Sequence, residues 1–142
     1  MQLDIKEQSL ILEGKKYSRK ELMSLSANAT GDNTSSFLLD LYRFLADWFS
    51  DSPFMTVHTS GSTGTPKVLT VRKEQMMQSA RMTCEFLNLH TGDTALLCMP
   101  LQYIAGKMMV VRALVAGLNL ILRTPSGHPL ADVTVPLRFV AM

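Results

Sequence analysis

The residues best suited to chemistry lie in one short stretch, residues 58–68, which reads HTSGSTGTPKV. Gly61 and Gly64 can adopt positive φ angles and let the backbone come close to a ligand. Lys67 adds a cation on a long stem, which suits a phosphate group as a point charge. Hydroxyl side chains, whose backbone N–H groups can also converge on an anion, lie around the glycines: Ser60, Ser62, Thr63 and Thr65. This combination predicts a clamp for pyrophosphate or triphosphate.

The commonest phosphate-binding motif, G-x-x-x-x-G-K-[ST], does not fit this stretch. Counted from Gly61, the second glycine would fall at Pro66, and Val68 follows Lys67 where Ser or Thr is required. The G-x-G-x-x-G fingerprint of dinucleotide-binding folds is absent as well. The composition of this stretch, taken alone, is also typical of a simple Ser/Thr/Gly connector. The apolar strands predicted on both sides and the Pro66–Lys67 pair argue against a plain connector.

Composition excludes several other functions. The chain has 142 residues, of which 46% are hydrophobic and 18% charged, so it is expected to fold as a globular domain. A net charge of +2 is too small to indicate nucleic acid or an anionic membrane as partner. Cys84 and Cys98 show no metal-binding or disulfide spacing, and the three histidines form no cluster.

No membrane span or secretory signal is expected. The start of the chain has no apolar signal-peptide core. The apolar region 104–122 contains Lys107 and Arg112, which a lipid-facing helix tolerates poorly. We therefore expect a reduced, cytoplasmic compartment.

The first half of the chain has patterns of both strand and helix. Leu3 and Ile5 alternate with polar residues and, together with the apolar residues 9–12, predict two short strands. Residues 15–20 are expected to form a turn and the start of a helix, which a Ser18–Glu21 capping box opens. After a polar loop at 26–36, apolar residues at helical spacing predict an amphipathic helix over 35–50, with an Arg43–Asp47 pair on its polar side.

The second half alternates strands and helices, which makes the fold class α/β. Strands are predicted at 54–59, 68–71, 94–100, 118–122 and 136–142, and helices at 73–89 and 104–117. The strand–helix–strand run over 94–122 predicts a βαβ unit with parallel strands. Gly117 is suited to the end of its helix.

Two motifs resemble those of one large family. Residues 59–67, TSGSTGTPK, resemble the signature phosphate loop of the adenylate-forming superfamily, which includes acyl-CoA synthetases, adenylation domains and luciferases. Val68 stands where that family usually has glycine. The stretch MPLQYIAGK then resembles its Pro-Leu-x-His-x-x-Gly segment, with Tyr103 in place of the usual histidine and Gly106 at the glycine position. The resemblance covers about residues 35–142 and is strongest at 57–128.

The resemblance implies a fold and an activity. The fold would be a partial N-terminal domain of the adenylate-forming type, with N-terminal strands and a short helix at 1–34 and an incomplete AMP-binding domain at 35–142. The activity would be that of an ATP-dependent acid–CoA ligase, which uses ATP, Mg²⁺ and coenzyme A. Thr59 to Thr65 would bind the β- and γ-phosphates, Lys67 would be the catalytic cation, and no protein side chain is assigned to the metal.

The acyl side of the site is implied by the same resemblance. The variant from Tyr103 to Lys107, with the short N-terminal region, most resembles the o-succinylbenzoate–CoA ligases of Bacteroidetes type, which act in menaquinone biosynthesis. Tyr103 would close the acyl pocket, and Lys107 would face a second carboxylate of the substrate. Tyr103 as simple packing and Lys107 as a solvated residue remain open alternatives.

The resemblance also implies that parts of the active site lie elsewhere. No adenine-binding loop, ribose-binding aspartate or C-terminal domain with its catalytic lysine is recognised, so the isolated chain is not expected to complete adenylation. Two further alternatives stay open: a shortened, non-catalytic paralogue that binds a nucleotide or partner, and a plain α/β structural domain.

Overall fold

A computed structural model describes residues 1–59, 67–123 and 139–141 of the chain. The first half contains a short 3-10 helix (Ile5–Glu7), β1 (Ser9–Leu12), β2 (Lys15–Ser18), α1 (Arg19–Asn28) and α2 (Ser36–Trp48). The second half contains β3 (Phe54–Thr59), β4 (Lys67–Arg72), α3 (Lys73–Phe86), β5 (Thr94–Leu97), α4 (Ile104–Ala116), β6 (Asn119–Leu122) and β7 (Phe139–Ala141). The α/β class predicted from the sequence is confirmed.

The main sheet has five strands in the order β2-β1-β6-β5-β7. Its four strands β1, β6, β5 and β7 are parallel to their neighbours, and β2 lies antiparallel to β1 at one edge. The pairing of Thr94 with Asn119 sets the register of β5 and β6. Because α4 connects these two parallel strands, the predicted βαβ unit is confirmed.

Helix α4 forms the centre of the core. Nine of its residues are buried, and it contacts α3, the strands β1, β5 and β6, and also β3. A helix that is apolar over most of its surface is stable only when other elements cover it. It ends at Gly117, whose φ of 71° lies in the left-handed region that favours glycine. Within the described part of the chain, no helix is long and apolar enough to cross a membrane.

Several details near the N-terminus differ from the predictions. Residues 5–7 form a 3-10 turn instead of a strand, because the Asp4 carboxylate accepts a hydrogen bond of 3.1 Å from the Lys6 backbone N–H. Residues 15–18, expected to be a turn, form β2, because Glu13 and Gly14 adopt positive φ angles and return the chain along β1.

The helix boundaries follow the local sequence signals closely. The capping box is confirmed, since the Glu21 backbone N–H donates to the Ser18 hydroxyl and the Ser18 N–H donates to the Glu21 carboxylate. Helix α1 continues through residues 26–28, which were expected to be loop. Helix α2 begins after the cap residue Ser35, as predicted. β5 ends three residues before the predicted boundary at Pro100.

A buried glutamine joins the N-terminal segment to the core. Gln8 is 1% exposed, and its side-chain carbonyl accepts a hydrogen bond of 2.9 Å from the Trp48 indole N–H. Its amide donates at 2.9 Å to the backbone carbonyl of Gln2. Trp48 is itself fully buried, so the indole N–H has lost water as an alternative partner.

We expect Gln8→Leu to lower the free energy of unfolding by about 2 kcal/mol, because the buried indole N–H of Trp48 loses its acceptor. Urea unfolding monitored by Trp48 fluorescence measures the change. Gln75→Leu, on the exposed side of α3, is the matched control and is expected to change stability by less than about 0.5 kcal/mol. Equal effects of the two substitutions would contradict the prediction.

Candidate functional site

The glycine-rich segment joins the two strands of an antiparallel hairpin. β3 and β4 pair along their whole length, from Phe54 opposite Arg72 to Thr59 opposite Lys67. Cross-strand pairs of this kind hold α-carbons about 5 Å apart. Thr59 and Lys67, which flank residues 60–66, therefore lie close together at the end of the hairpin. A strand follows the segment, as predicted, and this agrees with the exclusion of the G-x-x-x-x-G-K-[ST] motif, which needs a helix there.

The hairpin has one face on the core. Met55 and Val57 of β3 are buried, and this strand packs against α4. The intervening Thr56 is exposed, as expected from the alternation of side chains along a strand. β4 is the outer strand, with Val68 63% exposed. The hairpin thus positions both ends of the glycine-rich segment on a packed base.

The structure describes only part of the predicted phosphate clamp. Thr59 is the last residue of β3, and Lys67 is the first residue of β4 with an exposed side chain. The other predicted residues lie outside the described part of the chain: Ser60, Gly61, Ser62, Thr63, Gly64 and Thr65. Their role in binding phosphate stays a prediction.

The connection between β5 and α4 carries the second motif. Its tight packing centres on Gly106 in the first turn of α4, where an added Cβ would lie 2.4 Å from the carbonyl oxygen of Pro100. Tyr103 occupies the cap position of α4, and its carbonyl accepts the first backbone hydrogen bond of the helix, from Lys107 at 3.2 Å. The half-buried Tyr103 side chain hydrogen-bonds to none of the described residues.

Lys107 lies in a small groove of about 200 Å³. The groove is bounded by α2, β3 and the β5–α4 connection, and its walls include Asp40, Asp47, Thr56 and Gln102. The Lys107 ammonium donates to the Gln102 carbonyl at 3.4 Å. Burial lowers the pKa of Lys107, and the negative charges of Asp47 and Asp40 act in the opposite direction. The charge of Lys107 is therefore balanced in part by the chain's own carboxylates.

Sequence patterns missed the contribution of Asp47 to this groove. The helical spacing predicted a pair with Arg43, but the ion pair of Arg43 is with Asp40, at 3.9 Å and largely exposed. Asp47 instead contributes negative charge near Lys107, 60 residues later in the chain. The one sequence signal for this contribution is that Asp47 is an acidic residue near the last turn of α2. The helical spacing placed Asp47 on the solvated side of the helix.

The lowered pKa of Lys107 has a consequence for stability. Because the folded state holds this proton less tightly than the unfolded chain, the unfolded chain binds more protons in the pH range between the folded and the unfolded pKa of Lys107. We expect the free energy of unfolding of the parent, relative to Lys107→Met, to rise with pH up to the unfolded lysine pKa of about 10.4.

Urea unfolding of both proteins at a series of pH values from about 7 to about 10.5 measures this difference. Lys20→Met, which removes an exposed lysine of α1, controls for the loss of a lysine as such. A parent–variant difference that stays constant over the whole pH range would contradict the assignment.

The comparisons with known proteins identify the family and the fold of the chain. The sequence model of one family, described as AMP-binding enzyme, matches residues 3–140, so the chain belongs to the AMP-binding enzyme family. A search of curated proteins finds no significant match.

Two solved structures are similar to the chain. One is the acyl-CoA synthetase (AMP-forming)/AMP-acid ligase II-like protein of Dyadobacter fermentans DSM 18053, with 35% identity and a TM-score of 0.67. The match covers 78% of this chain and 31% of that protein. The other is the inhibitor-bound N-terminal domain of FACL13 from Mycobacterium tuberculosis, with 20% identity and a TM-score of 0.48, over 61% of this chain and 25% of that one.

The first of these similarities concerns the fold directly. The α/β architecture, with its parallel-strand sheet and covering helices, matches part of the N-terminal domain of an adenylate-forming protein. The prediction of a partial domain of this fold is confirmed. The chain spans about a third of the length of that relative, since the match covers 31% of it.

Proposed function

We propose that this chain supplies the pyrophosphate-binding hairpin and part of the acyl-binding region of an ATP-dependent acid–CoA ligase. The observation that supports this most is the pairing of Thr59 with Lys67 in a member of the AMP-binding enzyme family. This pairing holds a lysine beside a segment rich in glycine and hydroxyl groups. The chemistry of that segment suits the β- and γ-phosphates of ATP.

The proposed reaction has two steps. A carboxylate oxygen of the acid attacks the α-phosphorus of ATP, the bond from that phosphorus to the bridging oxygen breaks, and pyrophosphate leaves. The sulfur of coenzyme A then attacks the acyl carbon, and AMP leaves as the thioester forms. Lys67 would stabilise the negative charge that collects on the departing pyrophosphate. The hydroxyl and N–H groups between Thr59 and Thr65 would hold the phosphates in line for the first step.

The proposal assigns no protein side chain to the metal. Within the described part of the chain, His, Cys, Asp and Glu side chains form no group of three or more that could hold a metal. Mg²⁺ usually keeps several waters and binds through substrate phosphates. When bound with ATP, it would neutralise phosphate charge alongside Lys67.

For the acid, we propose o-succinylbenzoate, a substrate with two carboxylates. Tyr103 is the better supported acyl-side residue, because its half-buried side chain has no hydrogen-bond partner among the described residues. Lys107 is the candidate for the second carboxylate. A substrate carboxylate would have to compete with Asp47 and Asp40 for its ammonium.

Activity is best measured on the intact protein that carries this chain, by acid-dependent exchange of pyrophosphate into ATP and by thioester formation with coenzyme A. Exchange and thioester formation with o-succinylbenzoate are expected, and Lys107→Met should raise its KM more than that of benzoate, which has one carboxylate. Thioester formation with fatty acids alone would overturn the substrate but keep the enzyme class. Nucleotide binding without exchange on any acid would favour the non-catalytic alternative.

A further inference from the structure

A second cavity lies at the other end of the hairpin. Its volume is about 610 Å³, within the range of small-molecule sites. Its walls are formed by residues 3–6, 49–53 and 72–74, with Arg19 and Met77. Since a strand rises about 3.4 Å per residue, the six-residue strands separate this end from the Thr59–Lys67 end by about 17 Å. The cavity is therefore distinct from the glycine-rich segment.

Charge in this cavity is poorly balanced by direct pairing. Four cationic side chains line it: Lys6, Arg19, Arg72 and Lys73. Three carboxylates also line it: Asp4, Asp51 and Glu74. Ion pairs among the described residues involve none of these seven. The cavity thus has one more cation than carboxylate, and no ion pair among the described residues neutralises these side chains.

Lys73 is the most deeply buried of the four cations. It is 2% exposed, and its ammonium donates to the Ser50 carbonyl at 3.0 Å and to the Ser50 hydroxyl at 3.3 Å. Both acceptors are neutral, and an ammonium has three protons to donate. Burial lowers the pKa of Lys73, opposed by the charges of Asp47 and Asp51. A buried cation with neutral partners is stabilised by an anion brought beside it.

Arg19 lies against the neighbouring residue. Its guanidinium donates to the Phe49 carbonyl at 3.4 Å and lies 5.8 Å from the centre of the Phe49 ring. Its Nε is buried and has no hydrogen-bond partner in the described structure. The carbonyls of Phe49 and Ser50, which follow α2, accept from one donor of Arg19 and one donor of Lys73, and the Ser50 hydroxyl accepts from a second donor of Lys73. These contacts leave a buried N–H of Arg19 without an acceptor.

The uncharged part of the cavity wall is mainly apolar. It consists of Leu3, Ile5, Phe49, Pro53 and Met77, together with Ser50 and Ser52. Apolar walls with a few convergent polar groups are typical of sites for organic ligands. We propose that this cavity binds a small organic anion, an apolar body with a carboxylate or phosphate group held by Arg19 and Lys73.

Isothermal titration of the 142-residue chain with phenyl phosphate and with phenylacetate tests the proposal. Saturable binding of at least one probe is expected, and comparison of the two distinguishes a phosphate from a carboxylate head group. Inorganic phosphate should bind at least tenfold more weakly than phenyl phosphate, because it lacks the apolar body. Benzyl alcohol, which lacks the charge, should not bind measurably.

Variants locate the binding. Arg19→Gln and Lys73→Met should each weaken binding of the better probe at least tenfold. Arg19→Gln keeps a donor for the Phe49 carbonyl, so it remains informative if Lys73→Met fails to fold. Lys20→Met, an exposed neighbour of Arg19, should bind as the parent does, and Lys67→Met reports whether a probe binds at the glycine-rich segment instead. No saturable binding of either probe, or binding lost only in Lys67→Met, would overturn the proposal.

Discussion

Gly106→Ala is expected to lower the free energy of unfolding by about 3 kcal/mol. An added Cβ would lie 2.4 Å from the Pro100 carbonyl oxygen, 3.0 Å from the Pro100 carbonyl carbon and 3.2 Å from the Met99 carbonyl oxygen. All three atoms belong to the backbone, so no side chain can rotate away. Relief requires the start of α4 to move away from the β5–α4 connection.

Helix propensity acts in the opposite direction but is too small to compensate. Alanine is favoured over glycine within a helix by about 1 kcal/mol, less than the expected steric effect. The displaced turn also carries Tyr103, whose backbone N–H is 3.5 Å from the same Pro100 carbonyl. If Tyr103 contacts the acid as proposed, the intact protein should lose activity even below its new melting temperature.

Thermal and urea unfolding of Gly106→Ala measure the effect. Gly31→Ala is the matched control, because an added Cβ at Gly31 would meet no atom within 4 Å and its φ is not positive. The control is expected to change stability by less than about 0.5 kcal/mol. Similar stability of the two variants would show that the backbone at Pro100 can move at little cost in free energy, and this would contradict the prediction.

Lys67→Met is expected to slow acid-dependent exchange of pyrophosphate into ATP about 100-fold in the intact protein, with a smaller effect on stability. Lys67 is exposed and forms no ion pair with described residues, so its removal should change the free energy of unfolding by less than about 0.5 kcal/mol. The variant would lack the ammonium that stabilises the negative charge developing on the departing pyrophosphate. Methionine keeps the length of the stem and removes only the ammonium.

Lys16→Met is the control for net charge, since Lys16 is an exposed residue of β2 in the main sheet. It should leave both exchange and pyrophosphate binding unchanged. Lys67→Arg should recover part of the lost exchange because it restores the positive charge. Exchange at the parent rate in Lys67→Met would remove Lys67 from the proposed mechanism, whatever the result for the acid substrate.

Much of the fold was predictable because its signals are local. The capping box at Ser18 and the apolar spacing of α2 each depend on residues within a few turns. The βαβ unit followed from two apolar strands on either side of a helix that ends at Gly117. Where two local signals competed, the prediction was wrong, as for residues 5–7 and for β2.

By itself the sequence determined the chemistry of the glycine-rich segment, the resemblance to adenylate-forming enzymes and the helices and strands on which these depend. The tertiary structure alone decided which distant groups meet. It paired Thr59 with Lys67, brought the charge of Asp47 near Lys107, and held Lys73 on Ser50 at the edge of a second cavity. The physical reason is range: caps and periodicity act over a few residues, whereas the partner of a buried charge is set by packing between segments far apart in the chain.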